Sequence, residues 1–408
     1  MSAKILLGLG SDFVNNILSL TKLLFFSYYL SWGALSPYIS RYFSKVGLSG
    51  AEIGFLQGLT ALLALFIPPI WGFIADAKKW EKQMLLLSLY GMALGLMLYY
   101  YSHNFLFLLI ATLIYASANG PISPLLDSIA LKAAEVSESS YGNIRLYGSV
   151  GYAVLASLMP YLYNSAGNPG IIFLVSLLFV ALTILLVYRL PEDVVSTKVF
   201  LGNSFSSLRK GFFRLIKEPA FAGLMIIAFL ARVAVVPYYN FFAMYLEGLQ
   251  ASTFIVGNTW FVAILGEVLV LYNSERWLRK IGTKKLLLIS LALSATRWLI
   301  YANVTNPWII FSLQWLHGFT FAALHAVIVK LVKKLAPSGM EVSAQSLYAA
   351  VNLGLGGFVG SIVMGYIYDY FGGAEAIVQS VGALFVLSAV LTIVAFFIAN
   401  FSLNKLDK

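Results

Sequence analysis

The chain has 408 residues, of which 60% are hydrophobic and only 11% charged, with a formal net charge of +10 and no cysteine. A water-soluble domain carries about 25% charged residues, so a mean hydropathy of +0.85 excludes a soluble globular fold and makes lipid the solvent. Without cysteine there are neither disulfides nor thiolate metal sites.

Residues 1–21 do not read as a cleaved signal, because the apolar run Ile5–Leu9 is short and no small-residue cleavage site follows it. Beyond them come twelve apolar segments of about 20 residues each, near 20–43, 53–75, 83–101, 105–132, 141–164, 171–190, 219–246, 253–274, 286–302, 307–329, 344–368 and 376–402. Backbone groups in lipid must be satisfied within a helix or a closed barrel, and continuous apolar runs rather than alternation select helices. The expected fold is therefore an all-α membrane protein of twelve transmembrane helices. The longest polar connection divides them six and six: a bundle over 1–190, a linker over 191–218 and a second bundle over 219–408. In the linker, Phe205, Leu208, Phe212 and Leu215 share one helical face with cations between them, the pattern of an interfacial amphipathic helix.

The basic residues orient the spans. Twenty-two of the 27 Lys and Arg residues, including Lys4, Lys22, Lys78, Lys82, Lys132, the linker cations, Lys284 and Lys334, fall in alternate connections on one side. Arg41 and Lys45 fall on the other. This asymmetry puts both termini and the linker in the cytoplasm of a bacterial inner-membrane protein. It also accounts for the net charge without nucleic acid.

The remaining cations, Arg145, Arg232 and Arg297, lie inside spans, as do Asp127, Glu267, His317 and His325. A charge at the bilayer centre costs about 3 kcal/mol on insertion scales and is kept where it faces a partner, water or a solute. Asp127 and Arg145 lie on helices joined by the short link Glu135–Ser140, so they can approach across a hairpin as one wall of a solute site or as a structural ion pair. Glu267, Arg297 and His317 can form a second set. Arg232 has no evident partner; it can bond to carbonyls or receive an anionic group, and Tyr152, Tyr238, Tyr239 and Trp315 are candidate aromatic linings. No ligand spacing suits a metal and no nucleophile motif suggests an enzyme; no cofactor is expected.

Six spans plus six with a long central link is the layout of the major facilitator superfamily, and GFIADAKKWEK after the second span resembles its loop motif through Gly72 and Asp76. The usual later glycine and arginine are Lys79 and Trp80 here. The intramembrane set resembles the oligosaccharide–proton symporter branch typified by lactose permease, with its phenylpropionate and nucleoside permease relatives. Asp127, Arg145 in YGNIRLYGSVGY, Tyr152, Glu267 in GEVLV, Arg297 in LSATRW and His317 in QWLHGFTF stand at matching positions. The resemblance implies two pseudo-symmetric bundles and alternating access to a central solute site. It also implies solute binding by Asp127, Arg145, Tyr152 and Glu267, and proton coupling through Glu267, Arg297 and His317. Departures are Thr320, where the branch has an acid three residues after the histidine, and Arg232 in the seventh span.

The expected protein is a proton-coupled symporter of a small polar organic solute, such as an organic anion, an aromatic acid or a glycoside, working as a monomer in the bilayer. A facilitator, an exporter or a receptor without transport on the same fold are the alternatives.

Overall fold

In a computed structural model, residues 11–78, 80–191, 215, 218–337 and 340–403 are described. Among them are helices joined by turns and short irregular links, and no strand. Ten helical rods are long and apolar enough to cross a membrane. Two more helices of spanning length, Ser11–Leu35 and Tyr141–Ala166, carry more polar side chains, among them Asn143 and Arg145. Together they make the twelve spans. Leu106, Leu178, Leu185, Tyr366 and Phe397 stand exposed on these rods, as lipid-facing side chains do.

The first unit comprises Met1–Tyr42 and Phe66–Leu201. Its helices are α1 (Ser11–Leu35), the short α2 (Ile39–Lys45) and α3 (Gly50–Lys78), both shared with the second unit, α4 (Glu81–Tyr101), α5 (Phe105–Asn119), α6 (Ile122–Val136), α7 (Tyr141–Ala166) and α8 (Ile171–Tyr188). The first span begins earlier than its apolar run suggests. Pro37 disfavours helical backbone at Ser36, so α1 ends at Leu35 and a turn leads into α2. Lys22 thus lies within the helix rather than ahead of it, its ammonium 5.3 Å from the Tyr147 ring centre. Lys82, at the start of α4, donates to the carbonyls of Tyr188 and Leu190 (3.3 and 2.7 Å), where the last carbonyls of a helix attract a cation.

Helices in lipid gain little from the hydrophobic effect and associate through close packing of small residues. The α1–α7 pair shows this. A methyl group at Gly33 would overlap the Tyr152 backbone, and one at Gly148 would lie 2.8 Å from the Tyr29 ring.

The second unit comprises Phe43–Leu65 and Gly202–Lys408. Its helices are α9 (Pro219–Asn240), α10 (Phe242–Gly248), α11 (Thr253–Ile281), α12 (Thr283–Asn303), α13 (Pro307–Ser312), α14 (Leu324–Leu335), α15 (Glu341–Ala349), α16 (Gly357–Tyr370) and α17 (Ile377–Ser402). Two spans are interrupted. Between α13 and α14 the chain tightens over Leu313–Leu316 and then widens into a π-helical turn at Gly318–Ala323. A second π-helical segment, Ala350–Gly356, joins α15 to α16. Such turns re-aim side chains and occur often at functional sites. Of the amphipathic linker pattern only Leu215 is described, buried against Phe221 and Leu224; the rest lies outside the described residues.

The start of α3 belongs to this second unit. Ser49 and Glu52 form a reciprocal capping box. Asp369, from the end of α16, accepts from the Gly50 and Ala51 amides at 2.6 and 2.8 Å. The contact requires bare backbone, since a methyl group at Gly365 would overlap the Gly50 carbonyl oxygen. A carboxylate on the first amides of a helix contributes about 0.5–2 kcal/mol. Asp369→Asn is expected to lower the thermal midpoint in detergent by a few degrees, and Asp369→Ala by more.

Candidate functional site

In the first unit the candidate residues lie where α1, α6 and α7 meet. Asp127 is half-buried and accepts a hydrogen bond from the Tyr141 hydroxyl (2.9 Å). Arg145 lies with its guanidinium carbon 4.3 Å from the Tyr29 ring centre and 5.8 Å from that of Phe25. The expected direct pairing of Asp127 with Arg145 is not formed. Tyr141, one turn before Arg145 on α7, takes the carboxylate, and the guanidinium turns onto aromatic faces that supply cation–π attraction. Tyr152 stacks edge-on against Trp32 (5.7 Å) and accepts from the Ser36 hydroxyl (3.3 Å). Tyr29 meets the Ser123 hydroxyl at 3.2 Å, and Tyr28 donates to Asn119 (3.0 Å). The first span supplies more of this wall than its charges suggested. The signal in the sequence is the aromatic spacing Tyr28, Tyr29 and Trp32 on one side of a helix.

In the second unit a denser network surrounds Arg297, which is fully buried. Its Nε donates to the Tyr301 hydroxyl (3.0 Å), its Nη2 to Gln314 Oε1 (2.8 Å), and its Nη1 to both Thr320 (2.8 Å) and His317 Nδ1 (3.0 Å). Gln314 accepts a further bond from Tyr238 and donates to Tyr301. His317 Nε2 lies 3.0 Å from Glu267 Oε1. Arginine has no acceptor, so its contact fixes the histidine tautomer: Nδ1 accepts and Nε2–H donates to Glu267. Arg297 therefore reaches Glu267 through His317. His317 is shut in, whereas the Glu267 side chain is 25% exposed.

Two glycines make this contact possible. A methyl group at Gly266 would lie 2.7 Å from the Trp315 carbonyl oxygen, and one at Gly318 would overlap the Gly266 backbone. Their chain neighbours, Glu267 and His317, are thereby brought within hydrogen-bond reach. Thr320, standing where the resembling branch has an acid, supplies a neutral acceptor to Arg297. Tyr238 is sealed inside the network, while Trp315 stands exposed. Gln314 and Tyr301 were not singled out in the sequence; a lone glutamine or tyrosine in a span carries no mark of the partner it meets.

Arg232, in the middle of α9, has its Nε buried without a hydrogen-bond partner, and no carboxylate lies within 4 Å of it among the described residues. Its guanidinium carbon is 5.6 Å from the Tyr239 ring centre. His325, two turns beyond His317, meets the Tyr348 hydroxyl through Nδ1 (3.0 Å). Gly72 and Asp76 fall in the last turns of α3, where the side chains lie outside the described residues.

Comparison with known proteins follows the same lines. The profile of the MFS_1 like family matches residues 17–377. The chain is 29% identical over 371 residues to an uncharacterized transporter, YwbF, of Bacillus subtilis, covering 90% of this chain and 89% of that one. It is 26% identical to the maltose permease of Geobacillus stearothermophilus, with 91% of each covered. It is 24% identical to a probable 3-phenylpropionic acid transporter of Escherichia coli, over 85% of this chain and 90% of that one. The crystal structure of the nucleoside transporter NupG superposes with a TM-score of 0.84 at 19% identity, over 95% of this chain and 99% of that one, and so shares the fold. With its twelve spans and the match over most of its length, the chain belongs to the MFS_1 like family of the major facilitator superfamily and is a multi-pass membrane transporter, not an enzyme.

Proposed function

We propose that the protein is a proton-coupled symporter of a small polar organic solute. The observation that carries this reading is the line Arg297–His317–Glu267, which ends on a partly exposed carboxylate. With Glu267 ionised, the imidazole N–H and the arginine behind it hold the carboxylate in place. Protonation removes that charge, weakens its hold on His317 and frees Glu267 to turn toward solute hydroxyls. Proton and solute are then linked, because each alters the affinity for the other. Asp127 and Arg145, held by Tyr141 and Tyr29, are proposed as solute-binding groups of the first unit, with Tyr152 beside them. The transport cycle is alternating access by the two bundles, 1–190 and 219–408, with Gly72 and Asp76 acting in the loop motif. We place the protein in a bacterial inner membrane with cytoplasmic termini, on the charge asymmetry of its connections, and take it to act as a monomer.

The test is solute uptake in proteoliposomes or de-energised cells with a pH electrode outside. Solute addition should alkalinise the medium as protons enter with it. Uptake without alkalinisation would replace symport by facilitation, a reading favoured by the neutral Thr320 at the branch's acid position. Stoichiometric binding without flux would leave a receptor.

A further inference from the structure

A second group of side chains in the same unit lies outside the Glu267 line. It centres on Arg232, the fourteenth residue of the 22-residue helix α9. At 1.5 Å per residue both ends of that helix are more than about 10 Å away, so the guanidinium sits too deep for lipid headgroups. Its stem lies against the π-helical segment inside the eleventh span. A methyl group at Gly356 would come within 2.9 Å of Arg232 Cβ, and one at Gly357 within 3.7 Å of Nε. The side chain thus occupies a groove opened by two adjacent glycines. The groups coupled to it electrostatically are the neutral hydroxyls of Tyr239 and Tyr348. Tyr348 is held by His325 (3.0 Å) and by the Asn352 amide (2.9 Å), and Asn352 belongs to the π-helical segment. Arg232, Tyr239, Phe321 and Asn352 are all partly accessible.

The side chain is partly accessible, but its Nε is buried with no hydrogen-bond partner. Among the described residues no acid and no carbonyl takes up its charge, so part of its desolvation is left uncompensated. From this the geometry points to a subsite for the carboxylate of an organic monoanion, with Arg232 as the charged partner and Asn352 as a neutral one. A guanidinium binds a carboxylate through two parallel hydrogen bonds, and one cation balances one negative charge, which favours a monocarboxylate over a phosphate dianion. Tyr239 stands edge-on to both His317 (6.3 Å) and Phe321 (6.4 Å), and Phe321 stacks flat on His317 (5.4 Å). The body of the solute would lie along these rings toward Glu267. This inference deepens the transport reading by naming the class of solute and rests on it.

The experiment uses the full chain in detergent and a panel of arylalkanoates, hydroxy acids and uronic acids, each beside its neutral amide, with disaccharides, nucleosides and inorganic phosphate as controls. Thermal shift gives apparent affinities for the wild type, Arg232→Gln and Arg232→Lys. At least one carboxylate should bind about 10-fold or more tighter than its amide. Arg232→Gln should erase that difference while the amide's affinity stays put. Arg232→Lys keeps the charge but loses the fork and should fall between. Equal binding of acid and amide, equal losses in the variant, preference for phosphate, or stabilisation by neutral controls alone would each overturn the inference, as would a panel in which no anion binds. Flux of the bound carboxylate is then measured in proteoliposomes. Arg232-dependent binding without flux leaves the subsite standing and removes the transport reading. Glu267-dependent flux of a neutral solute, unaffected by Arg232→Gln, does the reverse.

Discussion

Glu267→Gln is expected to abolish accumulation of solute against its gradient while preserving exchange of solute for solute. Glutamine keeps the size and the oxygen that accepts from His317 Nε2–H, so the 3.0 Å contact and the packing of Gly266 on the tenth span are retained. What is lost is the exchangeable proton. A coupled carrier holding a tenfold gradient draws about 1.4 kcal/mol from the proton gradient. Without a titrating carboxylate that source vanishes, and the accumulation ratio should fall to about 1. Counterflow, which needs binding and reorientation but no net proton movement, should stay within a few-fold of the wild type. Accumulation in the variant equal to wild type at matched expression would remove Glu267 as the coupling acid. Asp127→Asn is the informative companion. Asp127 is bonded to a tyrosine rather than placed at the end of a histidine–arginine line, so its loss should weaken solute affinity more than the accumulation ratio.

Arg297→Met is expected to produce the largest loss of stability. The guanidinium is fully buried and its donors hold Tyr301, Gln314, Thr320 and His317 at 2.8–3.0 Å. A methionine fills much of the volume and strands those acceptors in a dry interior, at about 1–3 kcal/mol for each that finds no substitute. The ring faces of Tyr238, Trp298 and Tyr301, all 4.7–5.1 Å from the guanidinium, lose their cation as well. The folded state should lose about 2–4 kcal/mol, read as a drop of several degrees in the thermal midpoint in detergent. A spectroscopic signature separates this from general loosening. In the wild type His317 Nδ1 accepts from Arg297 while Nε2–H donates to Glu267; in the variant Nδ1 loses its donor, and nitrogen NMR of labelled histidine should show its resonance shift toward that of a free imine nitrogen. An unchanged Nδ1 resonance would mean that Arg297 does not bond the ring.

The sequence alone determined the solvent, the number of spans and the identity of the deep ionisable groups. These follow from terms that act residue by residue: the cost of apolar surface in water, and the cost of a charge in lipid. Asp127, Arg145, Arg232, Glu267, Arg297 and His317 stand out in any reading of the chain because each is expensive where it lies. Pairing among them is a different kind of quantity. It depends on helix rotation and approach to within about an ångström, which periodicity does not encode. Tertiary structure gave Asp127 to Tyr141 and left Arg145 on the aromatic rings of the first span. It inserted His317 between Arg297 and Glu267, because Gly266 and Gly318 let two backbones touch and a π-helical turn re-aims the side chains that follow. It also brought Asp369 onto the amides of Gly50 and Ala51, more than 300 positions away, and left Arg232 in a glycine groove with a neutral shell. Which charge meets which partner is decided by a few close helix contacts, and those exist only in the folded chain.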